Sequence, residues 1–338
     1  MVRRISKRTI IQFLVGVAIL LWLFQLANLA DTFAVIVQVD LLNLLVAAAL
    51  FVAASTFVGF ALFTPLRQFN QTVSIRKVVM ASFAGQLLSD VTPVRSGYFI
   101  TPIFLNHLAD IPLEQGMIGV LATGVVNAFV KAVVCLLGLL YFLSFLPLQV
   151  AVVNSVFFGV AVLLAAGTFL LFLMWDTRFS KVVAKLERIP LVGSKLHNLT
   201  GMFINVQKEG RKIKSHLMFM AVLILVSLLL NATALYFILN GVCQNSISIL
   251  DFFLIASFAS TLTYVPITIA GLGVQEAGYV LLLQLLLGMP LTKVDPRLLA
   301  FALITRALYT GTDIIGIGPL LKVGVKPDPA ITSKIKES

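Results

Sequence analysis

Six ionisable side chains interrupt segments of the chain that are otherwise apolar. They are Asp90, Arg95, Lys131, Glu276, Arg306 and Asp313. A charge at membrane depth is costly, and it usually faces a cavity or an opposite charge. Three cations beside three acids indicate a binding site for an anionic group, with part of the charge balanced inside the protein.

The first motif that can build such a site spans residues 88–97, Leu-Ser-Asp-Val-Thr-Pro-Val-Arg-Ser-Gly. Its proline breaks a helix and its glycine permits close backbone approach, while Thr92 and Ser96 supply hydroxyl groups. A half-helix that starts near Ser96 would direct free N–H groups at an anion, which Arg95 would bind with its planar guanidinium group. Alternatively, Asp90 and Arg95 only cap helix ends and pair with each other.

The second motif, residues 263–273, reads Thr-Tyr-Val-Pro-Ile-Thr-Ile-Ala-Gly-Leu-Gly. Gly271 and Gly273 give this bend conformational freedom and leave it without side-chain bulk. Glu276 follows three residues later, which is the position of a carboxylate that caps the first turn of a helix. Besides capping, Glu276 has a second possible role: a buried pair with Arg95 that opens when a charged head group competes for the arginine.

Two other apolar segments carry the remaining charges. Lys131 lies deep in a long apolar segment and is too central to reach the membrane surface easily, which favours a site or a buried partner. Arg306 and Asp313 lie seven residues apart on one face of the last apolar segment. The alternative for Arg306 is a structural ion pair, either with Asp313 or with a neighbouring helix.

The elements that hold these residues are expected to lie in a membrane. Of the 338 residues, 59% are hydrophobic and only 12% are charged, about half the charged fraction of a soluble domain. The net charge of +11 does not indicate nucleic acid, because membrane proteins collect Lys and Arg on cytoplasmic loops. No residues have metal-ligand spacing, and no nucleophile or phosphate-loop motif is present. We therefore expect an all-α polytopic protein of the cell membrane that is not an enzyme and binds no metal or cofactor.

Six apolar segments are long enough to cross a bilayer, which takes about 20 residues. They cover residues 10–30, 41–63, 116–143, 150–175, 217–239 and 297–321. Two further regions, 78–108 and 251–288, are apolar but broken in the middle. Each of their halves is too short to span the hydrocarbon core, which predicts two re-entrant hairpins.

The distribution of positive charge predicts the topology. Twenty of the 25 Lys and Arg lie in four regions. These regions are residues 1–9, 64–77 and 176–216 and the tail from 322. The positive-inside rule places all four in the cytoplasm, together with both termini. That arrangement requires hairpin 78–108 to enter and leave on the cytoplasmic side, and hairpin 251–288 on the opposite side.

The chain then divides into two similar halves of opposite orientation. Residues 1–145 and 146–322 each contain two spans, a hairpin and a third span, and residues 323–338 form a disordered cytoplasmic tail. The tetrapeptide Ala-Ser-Phe-Ala occurs in both hairpins, at 81–84 and at 256–259. Such an inverted repeat is typical of transporters, whose sites lie near the midplane at the interface of the repeats.

Residues 93–97, Pro-Val-Arg-Ser-Gly, and residues 271–276, Gly-Leu-Gly-Val-Gln-Glu, resemble a known family in their letters and spacing. With the six-span layout, they are similar to the flippase-like transmembrane region of lysylphosphatidylglycerol synthases. The resemblance extends over nearly the whole chain, and its second motif is the more specific one. It implies a flippase-like membrane protein. We expect no counterpart of the soluble aminoacyl-transfer domain, so the resemblance does not imply lysyl transfer.

These observations predict a protein that moves an anionic phospholipid, or a polyprenyl-phosphate-linked lipid, between leaflets. Arg95, Lys131 and Arg306 would neutralise the phosphate, and Glu276 would gate the path or pair with Arg95.

Three alternatives stay open. An ion-coupled transporter of a small solute would use Asp90, Glu276 and Asp313 as proton carriers. A non-catalytic partner of membrane glycosyltransferases would bind lipid without moving it. An enzyme acting on a lipid-linked sugar would need a committed acid and base, and the sequence shows no such pair. The oligomeric state is left open.

Overall fold

A computed structural model describes residues 7–69, 72–93, 95–144, 150–176, 205–243, 247–262 and 268–325. Within these ranges the regular secondary structure is helical. An isolated antiparallel β-bridge joins Pro93 and Ile269. The expected all-α class is confirmed for the described residues.

Helices account for most of the described residues. In chain order they are α1 Lys7–Ala27, α2 Leu29–Val37, α3 Leu41–Phe69, α4 Ile75–Asp90, α5 Thr101–Ala109, α6 Leu113–Leu143, α7 Val150–Trp175, α8 Leu217–Val242, α9 Ile249–Leu262, α10 Val274–Leu286, α11 Pro296–Asp313 and α12 Ile317–Val325. Short 3-10 segments cover Ser96–Ile100, Arg211–His216 and Ile314–Gly316.

The six predicted spans are confirmed among the described residues. Six helical stretches are long and apolar enough to cross a membrane: Ile10–Ala27, Leu41–Phe69, Leu113–Leu143, Phe157–Trp175, Asn205–Val242 and Pro296–Lys322. Large apolar side chains remain exposed on them, for example Leu140 at 66% and Met218 at 78%. Exposed apolar surface of this kind is what lipid contact requires. The protein is therefore a multi-pass membrane protein.

The first span ends earlier than its apolar run. Asn28 adopts φ 62°, and its side chain accepts a hydrogen bond from the N–H of Ala30 at 3.2 Å, so that α2 begins directly after α1. The expected connection 31–40 is therefore helical up to Val37, and α2 packs against α11. The positive φ of Asn28 is incompatible with a continuous α-helix and explains the break.

The two broken regions have the expected interruptions. In the first, α4 ends at Asp90 and α5 begins at Thr101, and the two arms pack against each other. In the second, α9 and α10 pack in the same way on either side of residues 263–273. Both Ala-Ser-Phe-Ala segments are buried, one on α4 and one on α9.

Contacts between the two predicted halves come in matching pairs. The second spans, α3 and α8, pack extensively against each other. Helix α3 also contacts α11, the third span of the other half, just as α8 contacts α6. The first hairpin arms repeat the pattern, because α4 contacts α11 and α9 contacts α6. A shared core contains residues from helices of both halves, namely α1, α3, α6, α7, α8, α9, α10 and α11.

Three sequence predictions fall outside the described residues, and two more stay untested. The boundary at 145/146, residues 177–204 of the basic connection and the tail from 326 are not described. The entry of the two hairpins from opposite membrane faces and the inverted repeat remain predictions.

Candidate functional site

The tip of the first hairpin holds itself together through its own polar side chains. Arg95 adopts φ 55° in the left-handed region, which turns the chain into the 3-10 segment. Thr92 Oγ1 accepts a hydrogen bond from the N–H of Gly97 at 2.7 Å and donates to the carbonyl of Leu88 at 3.0 Å. A Cβ on Gly97 would collide with the backbone of Leu88. Thr92 and Gly97 therefore shape the tip.

Arg95 reaches four groups from this tip. Its Nη2 pairs with Asp90 Oδ1 at 2.5 Å and contacts the hydroxyl of Tyr309 at 3.4 Å. Its Nε donates to Ser89 Oγ at 3.2 Å, and the guanidinium carbon lies 5.4 Å from the centre of the Tyr309 ring. The predicted Asp90–Arg95 pair is present, and Tyr309 ties it to α11.

The tip of the second hairpin uses backbone geometry that favours glycine. Ala270, Gly271 and Gly273 all have positive φ, between 47° and 78°. Gly273 lies against α1, where a Cβ would come within 2.6 Å of the carbonyl oxygen of Gly16. Thr268 is fully buried. Gly271 and Gly273 therefore act as turn residues here.

Glu276 has two partners. It accepts a hydrogen bond from the N–H of Gly273 at 2.7 Å, so it caps α10 as one interpretation predicted. Its other oxygen accepts from Arg306 Nε at 2.6 Å, and Arg306 Nη1 donates to the carbonyl of Ala270 at 3.2 Å. Of the two alternatives for Arg306, the structure has the pair with a neighbouring helix. The sequence also allowed an ion pair of Arg95 with Glu276 across the tips. Arg95 instead pairs with Asp90, and Glu276 pairs with Arg306.

The two tips meet through the backbone bridge between Pro93 and Ile269, and a cavity of about 70 Å³ lies beside them. Its charged lining consists of five predicted site residues: Asp90, Arg95, Lys131, Glu276 and Arg306. Lys131 reaches it from α6 and is only 9% exposed. Three cations and two carboxylates leave one positive charge in excess. The sequence prediction of a partly balanced cationic site therefore corresponds to one cavity.

The other five predicted residues do not belong to the lining of this cavity. Thr92 and the two glycines belong to the tips, as described above. Ser96 is exposed at the start of the 3-10 segment. Asp313 is fully buried at the end of α11, where its Oδ1 accepts a hydrogen bond from Ser55 Oγ at 3.2 Å.

Sequence reasoning missed the neutral part of the lining. It includes Asn231, Gln275, Thr305, Tyr279 and Tyr309, with apolar Phe51, Leu228, Leu235, Ala256 and Ala302. Asn231 lies in the middle of the apolar run of α8. It is a signal that could have been read, since polar groups in spans often face a cavity.

Two donors in this lining are buried and have no hydrogen-bond partner among the described residues. They are Arg306 Nη2 and Thr305 Oγ1. Such atoms are rare in native proteins, and each is a sign that a ligand or solvent supplies the partner. Among the described residues no group of three or more His, Cys, Asp or Glu could hold a metal ion.

An ion pair at the beginning of the last span offers a contrast. Arg297 donates to Asp295 through Nε at 3.1 Å and Nη2 at 2.7 Å, and the side chain of Arg297 is 49% exposed. Burial raises the pKa of Asp295, but the hydrogen bonds from Arg297 outweigh burial and hold this pKa below its usual value. The pair sits in solvent-accessible surroundings on the same helix as Arg306.

Comparison with known proteins agrees with the resemblance seen in the sequence. The model of the lysylphosphatidylglycerol synthase transmembrane region matches residues 9–316, which include both tips and every residue of the cavity lining. No curated protein matches the chain. The chain belongs to the family of the lysylphosphatidylglycerol synthase transmembrane region.

Proposed function

We propose that the protein binds the anionic head group of a membrane lipid in this cavity and carries it between leaflets. The observation that carries the proposal is the pair of buried, unpartnered donors, Arg306 Nη2 and Thr305 Oγ1. A buried donor without a partner costs about 1–3 kcal/mol. A phosphate group supplies several acceptor oxygens and would satisfy both donors.

The charge of the lining supports the same ligand. One positive charge is in excess over the carboxylates, which matches the single negative charge of a phosphodiester. Arg95 and Arg306 are the residues whose planar groups suit phosphate oxygens, while Lys131 contributes a point charge. Apolar side chains such as Phe51 and Leu235 complete the wall, as a site for the polar end of a lipid requires.

The arrangement of the helices supports movement between two sides. The matching contacts of the two halves support the predicted inverted repeat, in which the two halves span the membrane in opposite orientations. With the basic regions in the cytoplasm, the first tip would be reached from the cytoplasm and the second from outside. The backbone bridge between Pro93 and Ile269 would then close the path at mid-membrane, and its rupture would open it.

The size of the cavity fits a closed state in this scheme. Its volume of about 70 Å³ is well below the roughly 300–1,000 Å³ of small-molecule sites. A head group would enter only after the tips separate. We therefore propose alternating access, with the phosphate held by the cations and the acyl chains left in the bilayer.

Transport in proteoliposomes tests the proposal. Fluorescent phosphatidylglycerol, phosphatidylcholine and a polyprenyl phosphate are placed in vesicles that contain the purified protein, and arrival of each lipid in the other leaflet is followed by quenching. We expect faster crossing of the anionic lipids than in empty vesicles. Arg306→Lys should retain part of the rate, Arg306→Gln should lose it, and Arg297→Gln on the same helix should transport normally.

Two results would contradict the proposal. Equal crossing of all lipids in protein-containing and empty vesicles would rule out transport by this protein. Saturable binding of phosphatidylglycerol without crossing would instead favour a lipid-binding protein that assists another membrane component.

The topology has its own test. Cys135 and Cys243 are replaced by Ser, and single cysteines are introduced by Ser96→Cys and Thr268→Cys. In oriented vesicles we expect a membrane-impermeant thiol reagent to reach the first from the cytoplasmic side and the second from the other side. Because Thr268 is fully buried and Ser96 is exposed, the second reaction should be slower. Labelling of both from one side would overturn the opposed hairpins.

A further inference from the structure

A groove separate from the central cavity lies between α3 and α8, the second spans of the two halves. It has a volume of about 630 Å³ and shares no residue with the cavity lining. This volume lies within the roughly 300–1,000 Å³ of small-molecule sites. Its lining comes from the last turns of α3, the first turn of α8 and the 3-10 segment before α8: Phe63, Thr64, Arg67, Gln68, His216 and Phe219.

The walls of the groove are held in place by contacts of the protein itself. Gln68 Nε2 donates a hydrogen bond to the carbonyl of Lys212 at 3.2 Å, which ties the end of α3 to the 3-10 segment. Ile213 of the same segment is fully buried and belongs to one apolar cluster with Met220 of α8. The groove is therefore formed before any ligand binds.

The polar and the apolar groups of the groove lie at different depths. On α3, Phe63 precedes Arg67 by one turn, so both side chains point to the same face of the helix. On the opposite wall, Phe219 follows His216 by three residues and is 57% exposed. Helix α3 ends here and α8 begins here, so on both walls the aromatic residue lies deeper along the span than the polar one. This order matches a lipid, whose head group lies at the surface and whose chains lie below it.

The charge of the groove is not balanced. Arg67 is exposed and makes no hydrogen bond or ion pair with another described residue. The lining contains no acidic side chain among the described residues. Neighbouring cations already have partners: Lys212 pairs with Glu209 at 2.7 Å, and Lys214 lies 4.9 Å from the centre of the Trp175 ring. Arg67 is thus the cation that the groove offers to a ligand.

We propose that this groove binds an anionic phospholipid of the cytoplasmic leaflet, with the phosphate at Arg67 and the acyl chains along Phe63 and Phe219. The positive-inside rule places this end of α3 and α8 in the cytoplasm. A guanidinium group binds phosphate oxygens through paired hydrogen bonds. His216 supplies a second polar group, since Ser215 Oγ occupies its Nδ1 at 3.2 Å and leaves Nε2 for the ligand.

A lipid bound here would contact one span of each half without entering the central cavity. Its role is that of a resident lipid that fills the cytoplasmic end of the interface between α3 and α8. The proposal goes beyond the proposed function and does not depend on it, because the groove and the cavity have separate linings.

Quenching of a tryptophan placed in the groove tests the proposal. Phe219→Trp puts the fluorophore into the lining, and the signal of the parent protein, which comes from Trp22 and Trp175, is subtracted. Brominated phosphatidylglycerol or brominated phosphatidylcholine is added in mixed micelles. We expect half-maximal quenching at an about fivefold lower fraction of phosphatidylglycerol, the preference that one basic residue near the surface gives for anionic lipid.

Three variants separate binding in the groove from general attraction to a basic surface. Arg67→Gln should abolish the preference for phosphatidylglycerol. Arg211→Gln removes the same charge from an exposed position on the 3-10 segment that does not line the groove, and it should keep the preference. Met218→Trp places the fluorophore one residue away from Phe219, at a position that is 78% exposed and outside the lining. It should be quenched equally by both lipids.

Each result supports or overturns the site. Equal quenching of Phe219→Trp by the two lipids, or a preference that survives Arg67→Gln, would overturn it. Glycerol phosphate carries the anionic group without chains, and competition by it as strong as that by unlabelled phosphatidylglycerol would assign the groove to a soluble anion and overturn the lipid. None of these results would affect the proposed function, which is tested by transport and by variants of Arg306.

A direct measurement keeps the proposal open to contradiction if the tryptophan variant folds poorly. Wild type and Arg67→Gln are released from detergent into the gas phase, and the phosphatidylglycerol molecules that stay bound are counted by mass. We expect wild type to keep one more lipid than Arg67→Gln, and Arg211→Gln to keep the wild-type number. An equal number in all three proteins would overturn the site.

Discussion

The two hairpin tips solve the same problem in different ways. Each interrupts a helix with positive-φ residues, and each neutralises a buried carboxylate with an arginine. In the first tip the arginine is only five residues from its acid and belongs to the same turn. In the second tip Glu276 receives its arginine from α11, 30 residues away.

This difference separates a tip that can move from a tip that belongs to the scaffold. Arg306 joins α11 to both Glu276 and the carbonyl of Ala270, and Gly273 lies against α1. Displacing the second tip would break contacts with two other helices. The first tip has its strongest bonds inside itself, and its hydroxyl contact to α11 is a long 3.4 Å. We therefore expect the first tip to do most of the moving.

Loss of the arginine in the second tip should have the largest effect on stability. Arg306→Gln leaves Glu276 buried at 2% exposure without its counter-charge. Breaking a buried ion pair by removing one partner costs about 3–5 kcal/mol, and we expect about 3 kcal/mol because Arg306 itself is partly exposed. Unfolding in mixed micelles, followed by tryptophan fluorescence, measures the change.

Two variants accompany this measurement. The double variant Glu276→Gln with Arg306→Gln removes both charges and should recover part of the loss. Arg297→Gln breaks the exposed pair on the same helix and should cost less than about 1 kcal/mol. Equal losses for Arg297→Gln and Arg306→Gln would show that the second tip is not anchored by its ion pair.

A backbone change at the second tip should rank next. Gly273→Ala places a methyl group within 2.6 Å of the Gly16 carbonyl oxygen at a φ of 78°. We expect a loss of about 2 kcal/mol in the free energy of unfolding, the usual range for enforced positive φ plus a steric clash. Gly288→Ala is the control, because Gly288 has φ 63° but open space around it. An equally large loss for Gly288→Ala would mean that the positive φ explains the whole effect. The close contact of Gly273 with α1 would then contribute nothing to stability.

How much of the two tips can be predicted from the sequence depends on how far apart the interacting residues lie in the chain. The spans and the two interruptions follow from local properties, namely long apolar runs, Pro93 and the glycines of the second tip. The Asp90–Arg95 pair was among the sequence alternatives because its members share one turn. The cap by Glu276 was predicted for the same reason.

The partners that lie far apart in sequence were harder to predict. Ser55 and Asp313 are separated by 258 positions, and their contact depends on how α3 packs against α11. The rotation of one helix against another is set by side-chain packing over its whole length, which periodicity does not encode. For this reason Thr305, Gln275 and Tyr279 were not recognised as part of the cavity.

The first tip should tolerate loss of its arginine better than the second. Arg95→Gln removes the partner of Asp90, but the hydrogen bonds of Ser89 to the backbone of residue 95 and of Gly97 to Thr92, which shape the tip, remain. We expect a loss of about 1–2 kcal/mol, in the range of a hydrogen bond to a charged group, together with loss of anionic lipid transport. Unfolding and proteoliposome transport are measured on the same preparation. A stability loss larger than that of Arg306→Gln would reverse the assignment of the anchored and the movable tip.

The smallest expected effect on stability comes from two tyrosines that make matched hydrogen bonds, one at each tip. Tyr309 OH accepts from Arg95 Nη2 at 3.4 Å, and Tyr279 OH accepts from Gln275 Nε2 at the same distance. Both Tyr→Phe variants remove one long hydrogen bond, so each should cost about 0.5 kcal/mol of stability. Only Tyr309→Phe frees a group of the movable tip from α11. We therefore expect Tyr309→Phe to change the rate of lipid crossing several-fold and Tyr279→Phe to leave it unchanged, because Gln275 and Tyr279 lie on the same helix. Equal rates in the two variants would mean that the contact between the first tip and α11 does not control the opening.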